Sequence, residues 1–155
     1  SATAPSWVAP AVANYDGDRA YVYRDTSNQS ISNNTWTKIQ LNGEVYDPNS
    51  NFDPSTNYRY TAPANGTYLV YGHITWEGLN DEQRSKISIY KNGVTEVTGE
   101  LVVDVGEKSQ SIAVILALST SDYLELWCWQ STGVAENISY DTQGKRTYIT
   151  VYRLG

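Results

Sequence analysis

The chain has little from which a catalytic or metal centre could be built. Its 155 residues include one cysteine, Cys128, and one histidine, His73. A lone cysteine excludes an intrachain disulfide, and its position in an apolar run reads as a packed thiol. One His and one Cys fall short of the three or four ligands that common zinc sites draw from those types. His73 sits mid-strand and reads as a structural residue, since no motif supplies the other members of a triad. No Gly-rich loop runs from a strand into a helix to cradle phosphate. The 17 Asp and Glu residues are plentiful, but nothing pairs them for glycosidase chemistry. A non-enzymatic protein is therefore expected, with calcium the one cofactor left open, at the loop carboxylates Asp47, Asp53 and Asp81.

Long apolar runs are missing too. The longest, Ile112 to Leu118, is far short of the roughly 18 residues of a membrane span. Positive charge is in deficit, with 11 Lys and Arg against 17 acids and a net charge of −6. That field repels phosphate backbones and anionic lipid, so neither nucleic acid nor membrane is an expected partner. The first residues show no basic segment followed by an apolar one. Four N-x-S/T sequons, at Asn28, Asn33, Asn65 and Asn137, matter only in a eukaryotic secretory setting. No segment sustains a helical period, and no fixed-period repeat marks a propeller or solenoid.

What the chain has in abundance is strand material. Thirteen Tyr and five Trp accompany many Val, Ile and Thr, the side chains that suit a pleated surface. Residues 1–18, with Pro5, Pro10 and Trp7 as sole large anchor, read as an arm or linker, and 19–155 as one domain. Strands are expected at Ala20 to Tyr23, Trp36 to Val45, on both sides of the turn Pro63-Ala64-Asn65-Gly66, and at Lys86 to Lys91 before Asn92-Gly93. Further strands are expected at Val97 to Val105, Gln110 to Leu118, Tyr123 to Gln130 and Thr147 to Leu154. Asp25 to Asn34, Tyr46 to Tyr58 and Ser131 to Thr142 read as loops. About nine to ten short antiparallel strands without helices indicate a sandwich, barrel or jelly roll.

The order of landmarks resembles the C1q/TNF-like family of jelly-roll domains. Its Phe-Asp pair after an Asn/Asp-rich loop appears as Asn51-Phe52-Asp53. Its aromatic-Thr-Ala-Pro-x-x-Gly-x-Tyr segment appears as Tyr60-Thr61-Ala62-Pro63-Ala64-Asn65-Gly66-Thr67-Tyr68. A strand ending in Lys91-Asn92-Gly93, an apolar strand at Ile112 to Leu118, the turn Ser121-Asp122 and the alternating run Tyr123 to Trp129 follow in the family's order, and Tyr148 to Leu154 resembles its closing strand. The likeness covers about Ala20 to Leu154. It departs at Ser121, where the family has Gly, in a last strand without Phe-x-Gly, and in lacking a collagen-like Gly-X-Y stalk. The resemblance implies an all-β jelly-roll sandwich that forms homotrimers.

Period-2 alternation sharpens that expectation. In Tyr123 to Trp129 it sets Leu124, Leu126 and Cys128 on one side, and Tyr123, Glu125, Trp127 and Trp129 on the other. Both sides are apolar enough to need a partner: the core for the first, and something outside that core for the other, which the self-association implied by the resemblance supplies. Thr67 to Trp76 is similar, with Tyr68, Val70, Ile74 and Trp76 opposed to Leu69, Tyr71 and His73. The trimer interface is accordingly expected at Tyr123, Trp127, Trp129 and Tyr68.

The expected function is that of a trimeric head or decoration domain on a virion or cell surface, such as a phage fibre tip or capsid-surface protein. Its arm would dock on a shaft or shell and its loops would face outward. The alternatives are a carbohydrate-binding module using Trp36, Trp76 and Tyr140 against a surface glycan, and a secreted ligand of the C1q/TNF type.

Overall fold

A computed structural model describes residues 15–80, 82–102 and 108–155. The strands are β1 (Arg19–Tyr23), β2 (Gln29–Ile31), β3 (Thr37–Lys38), β4 (Gly43–Tyr46), β5 (Phe52–Asp53), β6 (Arg59–Thr61), β7 (Gly66–Thr75), β8 (Arg84–Lys91), β9 (Val94–Val102), β10 (Ser109–Leu118), β11 (Tyr123–Gln130), β12 (Glu136–Ile138) and β13 (Tyr148–Arg153). All pairings are antiparallel. One sheet runs β10-β7-β13-β1-β4; the other runs β5-β6-β11-β8-β9, with β3 also on β11. Two sheets face to face across one core make the jelly-roll sandwich that the sequence indicated.

Alternation decides which side of each strand enters the core. From the first sheet come Ala20 and Val22 of β1, Tyr68, Val70 and Ile74 of β7, Ile112 of β10, and Ile149 and Val151 of β13; from the second come Tyr60, Ile87, Ile89, Leu124, Leu126 and Cys128. Cys128 is completely buried, and burial pushes its thiol far above the ordinary range. Gly72 is the narrow point of the sandwich. A Cβ there would lie 2.5 Å from Leu126 Cδ1 of the opposite sheet. The β8–β9 hairpin turns on Asn92 and Gly93, both at positive φ (52° and 80°), the geometry of a two-residue type I′ turn.

Three segments expected to be irregular carry short strands. β2 and β12 lie in two of those presumed outward loops and pair with each other, because Ile31 and Ile138 are fully buried and draw both segments onto the core. Phe52, 5% exposed, does the same for β5. The expected strand Trp36 to Val45 divides into β3 on the second sheet and β4 on the first. The buried Ile39 and Leu41 mark the crossing between them.

Two residues of the segment before β1 touch the sandwich. Asp18 Oδ2 takes a 2.8 Å hydrogen bond from Arg153 Nη1, its carbonyl accepts from Tyr60 Oη at 3.0 Å, and Tyr15 lies 4.4 Å under the Arg153 guanidinium. The remainder of the expected arm, Trp7 included, lies outside the described residues. No helix among the described residues is long and apolar enough to cross a membrane.

Candidate functional site

Each sheet turns one aromatic side away from the core. On the first sheet the register aligns three rows of outward side chains. Ser111, His73, Tyr148 and Tyr23 form one; Ala113, Tyr71, Thr150, Tyr21 and Tyr46 the next; Ile115, Leu69, Tyr152 and Arg19 the third. The rings touch one another. Tyr148 stacks on His73 at 5.3 Å, lies 5.8 Å from Tyr71 and 5.2 Å from Tyr21, and Tyr21 meets Tyr46 edge-on at 5.9 Å. Beside them Ile115 is 61% exposed, Tyr152 39% and Leu69 38%. Burial pushes the Tyr148 phenol up to about 12, with a hydrogen bond to Tyr71 adding to the shift.

A chain of hydroxyls runs through the first row. Tyr71 Oη donates to Ser111 Oγ at 2.8 Å, and Ser111 Oγ lies 2.8 Å from His73 Nδ1. On the ring's other side Thr75 Oγ1 is 3.4 Å from Nε2 and donates to the Arg146 carbonyl at 3.0 Å. Desolvation lowers the His73 pKa. Both ring nitrogens face hydroxyls, and among the described residues no carboxylate hydrogen-bonds the imidazole as a triad would require.

The outward side of the second sheet mixes rings with charge. Tyr90 of β8 stacks on Trp127 at 4.7 Å and 18°, and Trp36 leans on Tyr90 at 6.1 Å. Glu125 is only 5% exposed; its carboxylate holds Lys38 Nζ at 2.9 Å and accepts from Trp127 Nε1 at 2.9 Å. Lys86 Nζ sits 5.0 Å over Trp129 and 3.6 Å from Glu100, which also pairs with Arg84 at 3.0 Å. Tyr123 is covered by the Arg59 guanidinium at 4.3 Å.

Two of the expected site residues are corrected by their burial. Tyr68, named for the trimer interface, is fully buried on the core side of β7, with its hydroxyl donating to the Ala64 carbonyl at 2.8 Å. Trp76, named for sugar stacking, is 1% exposed, and its Nε1 faces Gln110 Oε1 at 3.3 Å. Neither presents a ring outward. Trp36 remains half-buried on the second sheet, and Tyr140 is exposed on the loop after β12. The outward sides of Trp127, Trp129 and Tyr123 find much of their cover within the chain.

The Tyr-rich surface of the first sheet is what sequence reasoning missed. Its signal was present in the alternation of Leu69, Tyr71 and His73, but alternation does not say which side of β7 enters the core; that side carries Tyr68, Val70, Ile74 and Trp76 together with Gly72, whose missing side chain leaves room for Leu126.

Two of the loop acids named for calcium are taken up by backbone amides. Asp47 accepts from the backbone of Asn51 and Phe52 at 2.9 and 2.7 Å. Asp53 accepts from the backbone of Ser55, Thr56 and Asn57, which holds its carboxyl well below the usual range. Asp81 lies outside the described residues. No three of His, Cys, Asp and Glu among the described residues stand together to hold a metal ion.

No family model and no curated protein matches the sequence. Solved structures do resemble the fold. Eiger TNF from S. frugiperda superposes with a TM-score of 0.64 at 15% identity, over 88% of this chain and 92% of that one. Murine APRIL, crystallised at pH 8.5, gives 0.61 at 13% identity, over 88% and 98%. With its two antiparallel sheets, this chain has the TNF/C1q-like jelly-roll fold.

Proposed function

We propose that the chain is a non-enzymatic binding domain that works as a homotrimer, with its subunits packed through the outward side of the β10-β7-β13-β1-β4 sheet. The observation that carries this reading is the continuous patch of Tyr21, Tyr71, His73, Tyr148, Leu69 and Ile115, with no formal charge in its central rows. Aromatic and aliphatic surface of this extent on a sheet marks an association face. Rings of this kind bury about 150–250 Å² each when fully covered, so completing the burial of several is worth several kcal/mol at about 25 cal/mol per Å². The number three follows the resemblance to C1q-like domains. The interface thereby moves from the expected Trp127 and Trp129 to the opposite sheet.

Association through the first sheet leaves the second sheet and the loops for recognition, as befits a head displayed on a virion, a fibre or a cell surface, or an extracellular ligand. Half-buried Trp36 on that outward side also favours a second reading, glycan binding, which quenching of tryptophan emission by sugars would reveal.

Light scattering and sedimentation test the first reading. At about 10 µM the wild type is expected at three times the chain mass, and Leu69→Glu with Ile115→Glu at one chain mass with an unchanged far-ultraviolet spectrum. A monomeric wild type at that concentration overturns it.

A further inference from the structure

We propose that His73 makes this association pH-dependent, holding the subunits together at neutral pH and loosening them in mild acid. The inference rests on the self-association reading above and assigns its regulation. His73 lies in the first row of the patch, stacked on Tyr148 and flanked by Ser111 of the neighbouring strand.

The hydroxyls around it suit the neutral ring. Ser111 Oγ accepts from Tyr71, which leaves its own hydrogen free to point to Nδ1. Thr75 Oγ1 donates to the Arg146 carbonyl and turns a lone pair toward Nε2. That arrangement serves a neutral ring carrying its proton on Nε2. A proton added to Nδ1 requires the Ser111 hydroxyl to turn its hydrogen away, and supplies no negative charge in exchange.

Among the described residues no ion pair or hydrogen bond joins a carboxylate to the ring. The groups that face His73 are Tyr71 and Thr75 on its own strand, Ser109 and Ser111 on β10, and Tyr148 on β13, with Tyr21 behind Tyr148. Formal charges of both signs flank those strands, and each has a partner of its own: the Glu77 carboxylate, two residues past β7, accepts from Ser139. Arg146 precedes β13 with its side chain on Asp141 at 3.4 Å, and Lys108 precedes β10 with Nζ on the Glu77 carbonyl at 3.3 Å. Covering the ring with a second copy removes the remaining water, which disfavours the charged form further.

The linkage has a definite sign. Assembly that keeps the ring neutral releases a proton in acid, so the association constant falls by up to tenfold per pH unit for each histidine buried. Sedimentation velocity at matched ionic strength between about pH 7.5 and 5.5 reads this directly, on the wild type, His73→Gln and His73→Phe. The expected result is a rise of at least about tenfold in the wild-type dissociation constant across that range, and less than about threefold in both variants. An assembled wild type that does not respond to pH, or variants that weaken as steeply as the wild type, overturns the role of His73 and leaves the association face standing. A wild type that is monomeric at every pH overturns both. Two variants are used because Gln retains a hydrogen-bonding group and Phe retains the stack on Tyr148, so loss of folding in one does not remove the test.

Discussion

Enlarging Gly72 by one methyl should destabilise the domain, and removing Leu126 should reverse the sign of that effect. Gly72 sits opposite Ile112 and Ile149 on the core side of β7. A Cβ there would stand 2.5 Å from Leu126 Cδ1, 3.4 Å from Ile112 Cγ2 and 3.5 Å from Ile89 Cδ1. Leu126 is only 1% exposed, so its side chain could move aside only within the close-packed core. In open space Gly→Ala in a strand would gain about 0.5–1 kcal/mol from the lower entropy of the unfolded chain. Overpacking a closed core costs about 1–3 kcal/mol, so Gly72→Ala should lose about 1 kcal/mol net and Gly72→Val about 3. For a domain of this size 1 kcal/mol is about 2–4 °C in Tm. Leu126→Ala alone should cost about 2–5 kcal/mol. In that background the close contact is gone, and Gly72→Ala should be neutral or stabilising. The assay is urea and thermal unfolding of the four proteins at one fixed concentration, because association would add to apparent stability. If Gly72→Ala raises Tm with Leu126 present, or costs the same without it, the two sheets do not meet at this point.

Two further outcomes follow from buried groups. Cys128, whose thiol burial pushes far up, should react with a thiol reagent at about pH 8 at least about a hundredfold more slowly in the native protein than in denaturant; rapid native labelling would place it outside the core. Tyr148 has its folded pKa raised from 10.0 to about 12. Its contribution to stability is complete below the unfolded value and is lost as pH rises toward the folded one, so the domain should weaken between about pH 10 and 12. Phenolate absorbance should show several late-titrating phenols, because burial also raises Tyr21, Tyr60 and Tyr68; Tyr148→Phe should remove one phenol's share of that late rise, and an unchanged curve would contradict the aromatic packing around that ring.

Alternation was the most legible feature of the chain. It placed Leu124, Leu126 and Cys128 in the core, Asn92-Gly93 was readable as a hairpin turn, and the Ala62-Pro63-x-x-Gly66-x-Tyr68 segment pointed to the jelly roll. The failures share a cause, because alternation separates two sides of a strand without saying which is inside. Tyr68 and Trp76 against Leu69, Tyr71 and His73 is a choice between two apolar sides, and the choice depends on what the opposite sheet packs against each. The pairing of β2 with β12 was hidden for another reason. Gln29–Ile31 and Glu136–Ile138 are far apart in sequence, and each offers only a single buried isoleucine in a polar run, so neither registers as a strand until its partner is adjacent.

The outward sides of the two sheets are similar in aromatic content and differ in what lies between the rings. Around Trp127 and Trp129 stand Lys38, Glu125, Lys86, Glu100 and Arg84, linked as ion pairs. Covering that side with a flat second copy would strip water from formal charges, at an effective cost of several kcal/mol per ion unless the copy supplied matched partners. Around Tyr71 and Tyr148 the polar atoms are hydroxyls and one imidazole that already hydrogen-bond within the chain, so covering them leaves few donors unsatisfied. Arg19 is the one cation in those three rows; it sits at the margin, 5.0 Å over the Tyr46 ring and 3.7 Å from Asp16. What lies between the rings therefore favours the first sheet for the proposed self-association, and the second, with its charges hydrated, for the proposed ligand contact.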